Sequence, residues 1–317
     1  MPQANPSFDK LASTTLKNYR KQLVDNISEH MPFFKMMREK GAVKLDGGES
    51  IVTPLVYEFG AGGSYSGSDT MDITVQDGIS AAEYNWKQVY ATATITGYQK
   101  ASNMGRSRQI NIVEATIKQA QMTIENQVAT MLFGDGTGNS GKDILGLEAI
   151  VSQTPTVGVL GGIDASAETF WRNVVNTSVG SIATGGLAAV QTMIRQTQRG
   201  GDKVDLIIMD ATNFGRFQAL ANNRVEIMHN VKAANLGIPM LTIEGTDVIF
   251  DHYCPADRIY GVNTNYLKLY VHEAVNFTTG DFIEPADKDI RVAKILLQAQ
   301  LVTDRREAHF VGSGTSA

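Results

Sequence analysis

A glycine-rich loop at residues 134–143 comes nearest to a known chemical motif. Gly136, Gly141 and Lys142 stand at the spacing of a phosphate-binding loop, in which backbone N–H groups and the lysine contact phosphate oxygens. The next position of that motif is a Ser or Thr whose hydroxyl binds Mg²⁺, but here it is Asp143. A carboxylate at that point would repel the phosphates, so the loop is a weak candidate for a nucleotide site.

The elements expected around this loop also argue against a nucleotide. A phosphate-binding loop follows a strand and opens a helix, so that the helix N-terminus faces the anion. Here the apolar stripe of residues 109–133 predicts a long helix before the loop, and the apolar run of residues 144–151 predicts a strand after it. A calcium-binding loop fails as well, because its twelfth position would be Gly146, which offers no side-chain ligand.

Other groups of reactive residues are weaker still. His252 and Cys254 would share one face of a strand, but the spacing places no third group beside them. The acidic run of residues 281–289 matches no cation-binding spacing, and the histidines are scattered. We therefore expect no catalytic residue, no cofactor, no metal ion and no enzyme activity.

Composition indicates an ordinary globular protein. The chain has 317 residues, of which 43% are hydrophobic and 19% charged, a size typical of about two domains. It has no apolar run of membrane-spanning length, and its N-terminus lacks the features of a signal peptide. The single cysteine excludes an intrachain disulfide bond. We expect synthesis in the cytoplasm and no association with membranes.

Charge is unevenly distributed along the chain. Residues 1–44 hold eight Lys or Arg against four Asp or Glu, which leaves −9 for the rest of a chain whose net charge is −5. An acidic body argues against a protein that reads nucleic-acid sequence, because such proteins present a basic face. The basic charge of this segment is expected to lie on a solvated helix face.

The N-terminal segment is expected to be helical. Leu16, Tyr19, Leu23 and Ile27 lie at helical spacing within residues 10–29, and a second short helix rich in Phe and Met follows Pro32. The apolar face fits either the core of a domain or an arm that docks on a neighbouring subunit.

Two runs of alternating residues, 50–59 and 86–96, predict a pair of strands that form a hairpin. The stretch between them is too long for a tight turn and is rich in glycine. Such a loop cannot build a core of its own. We therefore expect that something outside the subunit orders it.

The rest of the chain predicts an α/β region and a returning strand. Helices are expected at 168–179, 187–199 and 211–222, and the clearest strands at 206–209, 248–250 and 267–272. Residues 290–310 can form long strands that return the chain to the long helix.

Five short stretches stand out among these elements. They are Met31-Pro32-Phe33-Phe34 with Glu39-Lys40-Gly41; Tyr65-Ser66-Gly67 with Asp69-Thr70; residues 81–88; residues 134–138 leading to Gly146-Leu147; and Cys254-Pro255 followed by residues 260–264 and Tyr266-Leu267. Together with the order of the elements, they resemble the major capsid proteins of tailed bacteriophages with the Hong Kong 97 type fold. The resemblance covers nearly the whole chain.

The resemblance implies an α+β subunit with the Hong Kong 97 type capsid fold in four parts. These are an N-terminal arm (1–44), an extended β-hairpin loop (45–100), a peripheral domain with a long spine helix (101–143 and 266–317) and an α/β axial domain (144–265). The extended loop would lie across the adjacent subunit. Contacts between subunits are expected at Leu16, Tyr19, Leu23, Phe33, Phe34, Tyr57, Tyr65, Asp69 and Trp86.

The implied function is structural. Such a protein self-assembles as pentamers and hexamers into an icosahedral phage head that encloses double-stranded DNA without sequence specificity, and assembly takes place in the bacterial cytoplasm. Its partners would be further copies, a separate scaffolding protein, a portal and, optionally, a decoration protein. We expect no covalent crosslinking, because the spacing of Lys87 and Lys100 identifies no partner.

Two alternatives remain open from the sequence. An encapsulin-like shell, which encloses an enzyme cargo in a nanocompartment, has the same fold. A more distant alternative is a nucleotide-binding enzyme that uses the loop from Gly136 to Lys142.

Overall fold

The computed structural model describes residues 31–39, 43–45, 47–75, 77–102, 112–222 and 241–316. The α-helices in these residues are α1 (Pro32–Glu39), α2 (Gly97–Ser102), α3 (Ile112–Met131), α4 (Leu147–Ile150), α5 (Leu187–Thr197) and α6 (Ala211–Asn222), with a short helical turn at Gly138–Gly141. The strands are β1 (Val43–Leu45), β2 (Ser50–Val56), β3 (Ile79–Asn85), β4 (Lys87–Thr96), β5 (Val159–Leu160), β6 (Ile163–Asp164), β7 (Val174–Asn176), β8 (Gly180–Ser181), β9 (Leu206–Met209), β10 (Leu241–Ile243), β11 (Thr246–Phe250), β12 (Ile259–Val262), β13 (Leu267–His272), β14 (Thr278–Thr279), β15 (Ile290–Thr303), β16 (Phe310–Gly312) and β17 (Thr315–Ser316).

A five-stranded sheet packs against the long helix α3. Its order is β1-β13-β15-β14, and β4 pairs antiparallel with residues 290–299 of β15 over ten residue pairs. Period-two alternation buries one face of β4, as the sequence predicts, and places there Val89, Ala91, Ala93 and Ile95. The buried stripe of α3 includes Ala120, Ile124 and Val128, which join the same hydrophobic core.

The second large sheet is mixed and has six strands, in the order β10-β11-β9-β12-β16-β7. All four residues of β9 are buried, so this central strand is apolar on both faces. The predicted helices at 187–199 and 211–222 are confirmed as α5 and α6. The predicted strands at 206–209, 248–250 and 267–272 are confirmed as β9, β11 and β13. The C-terminal strand β16 lies between β12 and β7.

The predicted pairing of the hairpin is wrong. β2 pairs with β3, from Ser50 opposite Asn85 to Val56 opposite Ile79, whereas β4 pairs with β15. The alternating run that begins at residue 86 forms β4, and it pairs with β15 over ten residues, whereas β2 has only seven residues to offer. The loop at the end of the hairpin therefore spans residues 57–78.

Two further element predictions are wrong. Residues 144–151 contain the helical turn α4 instead of a strand. The Leu147 N–H at the start of this turn donates to the Leu132 carbonyl and holds the segment against the end of α3. Residues 168–179 hold a 3₁₀ turn and the strand β7 instead of a helix. There the Trp171 indole donates to the Leu160 carbonyl, and the Val174 N–H donates to the His309 carbonyl.

Some predictions fall on residues that the structure does not describe. The N-terminal helix at 10–29 lies outside the described residues, as do the first residues of the predicted long helix, 109–111. The described remainder of that helix is α3. None of the described helices is long and apolar enough to cross a membrane.

Candidate functional site

The glycine-rich loop of residues 134–143 connects the end of α3 to the turn before α4. The carboxylate of Asp135 accepts hydrogen bonds from the backbone N–H and the hydroxyl of Thr137 at 2.9 and 2.8 Å, which lowers the pKa of Asp135. At the exit, a Cβ atom on Gly146 would lie 2.3 Å from the Met131 carbonyl oxygen, so the backbone there is pressed against the end of α3. The loop thus leads from one helix to the next helical turn, and its geometry is that of a tight connection.

The thiol of Cys254 is unsuited to nucleophilic catalysis. It is buried, and its Sγ lies 3.8 Å from both the Pro255 and the Arg258 carbonyl oxygens. Burial raises the pKa of the Cys254 thiol well above its usual value, so the group keeps its proton at neutral pH. Because the thiolate is the nucleophile, the weak pairing considered for His252 and Cys254 gains no support.

Two buried titratable side chains tie distant segments together. The Asp251 carboxylate accepts a hydrogen bond of 3.0 Å from the Phe33 N–H in the first turn of α1, and burial raises the pKa of Asp251 to about 6. His309 is fully buried, and burial lowers its pKa to about 3, so its imidazole is neutral. Its Nδ1 accepts from the Asn263 N–H at 3.1 Å. Both groups are enclosed by protein and serve the fold.

The acidic run of residues 281–289 forms an ion pair with the strand that follows it, β15. Glu284 pairs with Arg291, and the Asp289 carbonyl accepts from the Gly97 N–H. Across the described ranges, no group of three His, Cys, Asp or Glu side chains is placed to hold a metal ion.

The loop of residues 57–78 exposes an unusual number of large apolar side chains in the part of the chain that the structure describes. It contains four acidic residues and no basic one. Several large apolar side chains along it and at the start of β3 are exposed: Phe59, Tyr65, Met71, Ile73, Val75 and Ile79. At its base, the ring of Tyr57 stacks on Phe170. Exposed apolar patches of this kind mark interaction sites.

The residues expected at subunit contacts fall into three groups. Tyr65 and Asp69 are exposed in the loop and Tyr57 begins it, whereas Trp86 follows β3 at the opposite end of the hairpin. The Trp86 indole donates to the Gly48 carbonyl at 3.1 Å, and its ring meets the edge of His272. Leu16, Tyr19 and Leu23 lie outside the described residues.

Phe33 and Phe34 form the third group, and both are buried in the core of this subunit. The ring centroid of Phe33 lies 5.5 Å from that of Phe133 at the end of α3. Their side chains therefore offer no surface to a neighbour, because α1 uses them to dock on the chain's own body.

Sequence reasoning missed a groove of about 950 Å³ on the outer face of the pair formed by β4 and β15. Its lining includes the apolar side chains of Tyr90 and Leu296 and three lysines, Lys87, Lys142 and Lys294. The even-numbered positions of β4 signal an exposed face. The lysines come from three separate parts of the chain, however, so their meeting depends on the pairing of β4 with β15.

Comparison with known proteins identifies the fold. No family model and no curated protein matches the sequence. Among solved structures, the cyanophage A-1(L) capsid asymmetric unit is 15% identical, with a TM-score of 0.69 and 95% of this chain and 97% of that chain covered. The capsid of a native GTA particle is 10% identical, with a TM-score of 0.65 and coverage of 99% and 100%.

A third similar structure is the holo-SrpI encapsulin complex from Synechococcus elongatus PCC 7942. It is 9% identical, with a TM-score of 0.58 and coverage of 92% of this chain and 93% of that chain. These full-length matches confirm the predicted α+β fold of the Hong Kong 97 type. Identities this low establish the architecture and leave the function to be argued from the molecule itself.

Proposed function

We propose that this chain is the structural subunit of an icosahedral shell, the major capsid protein of a tailed-phage type head, and that it catalyses no reaction. The observation that carries this proposal is the similarity over almost the full length of both chains to structures described as capsids. The Gly136–Lys142 loop, which joins two helical elements, and the protonated thiol of Cys254 add no support for the enzyme alternative.

The exposed loop of residues 57–78 supports assembly as the function. Large apolar side chains along an unpaired segment favour association with another chain over existence as a monomer. In the proposed shell, this loop crosses a neighbouring subunit and is ordered by it. Tyr57, Tyr65 and Asp69 would then lie at the contact between the two subunits. Trp86 would support the other end of the β2–β3 hairpin, where its indole bonds to Gly48.

The proposed assembly has the parts expected from the sequence: an arm, an extended loop, a peripheral domain built on α3, and an axial domain. Because β16 lies between β12 and β7, we propose that residues 310–312 belong with the axial domain. Pentamers and hexamers of this subunit would enclose double-stranded DNA. The acidic body would confine the polymer without binding it tightly.

The proposed location is the virion head, assembled in the bacterial cytoplasm with a separate scaffolding protein and a portal. A decoration protein is an optional addition. An encapsulin-like nanocompartment is the second candidate, because the SrpI encapsulin complex is also similar over almost its full length, although with a lower TM-score than the two capsids. Neighbouring genes for a portal and terminase support a phage head, whereas a gene for a cargo enzyme supports the compartment.

Deletion of residues 62–69 tests the role of the loop. We expect the deletion variant to fold, because these residues are exposed and pair with no other strand in the described chain, but to form no stable shells. The control carries Val157→Ala and Val159→Ala, which remove exposed apolar side chains elsewhere. Electron microscopy and thermal unfolding are compared for both. Normal shells from the deletion variant would contradict the proposed role of the loop.

A further inference from the structure

We infer that the turn between β13 and β14, residues 273–277, relays the position of α1 to the groove over β4 and β15. The turn consists of a 3₁₀ turn at Glu273–Val275 followed by Asn276 and Phe277. Phe277 contacts α1, and Val275 lines the groove. The inference goes beyond the proposed shell function, because it concerns a conformational change within a single copy.

Phe277 has a strained backbone. Its φ is +50°, in the left-handed region, where the Cβ atom of an L-residue approaches the following carbonyl oxygen. A residue as bulky as Phe is an outlier there, and such a conformation persists only where its surroundings hold it. When those contacts are lost, the backbone is expected to relax to a negative φ, which gives the turn two states.

Arg38 of α1 provides one of the contacts that hold Phe277. Its guanidinium lies over the Phe277 ring, 5.6 Å from the ring centroid, a distance at which a cation is attracted to an aromatic face. The same guanidinium donates to Glu125 of α3 at 3.0 Å, which fixes its position. The Phe277 ring also packs, partly buried, against the hydrophobic core. Because Arg38 is in the last turn of α1, its contribution exists only while α1 is docked.

The segment that contains α1 also contacts the other end of the turn. β1 follows α1 in the chain and pairs in parallel with β13, which places Leu45 opposite His272, the residue before the turn. Arg38 lies beside Phe277, the last residue of the turn. A movement of residues 32–45 would therefore change the contacts at both ends of the turn.

Hydrogen bonds make the turn a stiff unit. The His272 Nδ1 atom accepts from the Ala274 N–H at 3.2 Å, and the Thr278 hydroxyl donates to the Ala274 carbonyl at 3.1 Å. Thr278 is also paired with β15, opposite Leu296. Phe277 lies between Ala274 and Thr278. A change of its φ must therefore break the hydrogen bond of Thr278 or move residues 274–276 as well.

Val275 carries this change to the groove. Its side chain is half-buried and lines the groove together with Trp86 and Leu296, on the face of the sheet opposite α3. The Trp86 ring also meets the His272 ring, with centroids 5.7 Å apart. α1 and the groove are thus coupled through one two-state turn. By thermodynamic reciprocity, an occupant of the groove that displaces Val275 would weaken the docking of α1.

Hydrogen exchange tests the first half of the relay. Arg38→Ala is expected to speed the exchange of residues 273–279 about fivefold, the factor that corresponds to the loss of one contact between a cation and an aromatic ring. The control is Lys35→Ala, at an exposed residue of the same helix, for which we expect the exchange of the parent chain. Circular dichroism verifies that each variant folds. Unchanged exchange in Arg38→Ala, or equally fast exchange in both variants, would overturn the inference.

A second substitution tests whether backbone strain is the cause. Asparagine tolerates the left-handed region better than most residues, so adding Phe277→Asn to Arg38→Ala should return the exchange to within about twofold of the parent. If the packing of the ring alone holds the turn, the double variant will exchange at least as fast as Arg38→Ala. That result would show that the strain argument is wrong.

A thiol at the groove tests the second half of the relay. In Val275→Cys, the rate of reaction with a fluorescent maleimide reports the exposure of position 275, since the native Cys254 is buried. Adding Arg38→Ala should raise this rate by about fivefold as well, whereas adding Lys35→Ala should not. An unchanged rate, together with faster exchange in the turn, would mean that the relaxation does not reach the groove, and the relay would be refuted.

These measurements separate the relay from the shell proposal. All of them use the purified chain and report on a single copy, so they can be made whether or not shells form. A chain that assembles but shows no coupling between Arg38 and Val275 refutes the relay alone. A chain that shows this coupling but never assembles refutes the shell proposal alone.

Discussion

The ring of Tyr57 stacks on the ring of Phe170, with centroids 5.0 Å apart and planes inclined by 16°. This contact joins the first residue after β2 to the 3₁₀ turn of residues 169–171. The Tyr57 hydroxyl also donates to the Asp77 carbonyl at the other end of the loop. The base of the loop is thereby fixed on the body, while the segment beyond it remains exposed.

Removing this stack should loosen the base of the loop without unfolding the subunit. Phe170→Ala is expected to lower the free energy of unfolding by about 1 kcal/mol beyond the loss of buried area, as stacked pairs do. Hydrogen exchange of residues 57–78 should become faster. Tyr98→Ala, at an exposed aromatic residue of α2, is the control. Unchanged exchange in Phe170→Ala would show that the stack does not hold the loop.

Arg306 should contribute more to stability than its charge alone would indicate. Its buried guanidinium donates to the Ile150, Ala149 and Trp171 carbonyl oxygens at 2.7, 3.2 and 3.3 Å. Arg306→Ala leaves these acceptors without donors and should lower the free energy of unfolding by about 3 kcal/mol or more. Urea denaturation measures the change.

The matched control for Arg306 is Arg195→Ala. Arg195 pairs with Glu244 on the surface, where its side chain is largely exposed. Its loss should change stability by less than about 1 kcal/mol. Equal effects of the two substitutions would mean that the buried hydrogen bonds of Arg306 carry no special weight.

Asp251 should make the fold more stable as the pH falls. Burial raises its pKa from 3.8 to about 6 in the folded chain, so the folded state binds the proton more tightly than the unfolded state. Its contribution is lost as pH rises through 6 and is fully present below 3.8. Relative to Asp251→Asn, the parent should gain about 1 to 2 kcal/mol between pH 7 and pH 5. A difference that does not vary with pH would contradict this assignment.

His309 should act in the opposite direction. Burial lowers its pKa from 6.5 to about 3, so below pH 6.5 the unfolded chain takes up a proton that the folded chain refuses. Stability is therefore lost as the pH falls through this range, by about 1.4 kcal/mol per pH unit at most. His309→Gln keeps an acceptor for the Asn263 N–H and should remove this loss. Unfolding curves at pH 4.5 and 6.5 compare the two chains, and equal pH dependence would be the contrary result.

The sequence predicted those parts of the fold that depend on local periodicity. Clear apolar periodicity and clear residues at the ends of the segment predicted four of them: α5, α6, β9 and the buried face of β4. It misassigned residues 168–179 because Phe170, Trp171 and Val174 lie at helical spacing. There, long-range hydrogen bonds from Trp171 to Leu160 and from Val174 to His309 override that local preference.

Of the two unusual surfaces, the loop of residues 57–78 and the groove over β4 and β15, only the loop could be predicted from the sequence. The glycine-rich, acidic loop is continuous in the chain, so its unusual composition could be read directly. The groove depends on Tyr90 and Leu296 lying opposite each other, about 200 residues apart, which follows from pairing that no local pattern specifies. The hydrogen bond between Asp251 and the Phe33 N–H, 218 residues apart, is inaccessible for the same reason.

The most direct test of the proposed function is electron microscopy with light scattering of the purified chain, expressed alone and with a candidate scaffolding protein. The proposed function predicts closed icosahedral shells, or rings of five and six subunits, in at least one condition. A stable monomer or dimer in both conditions would contradict the proposed function and favour the enzyme alternative.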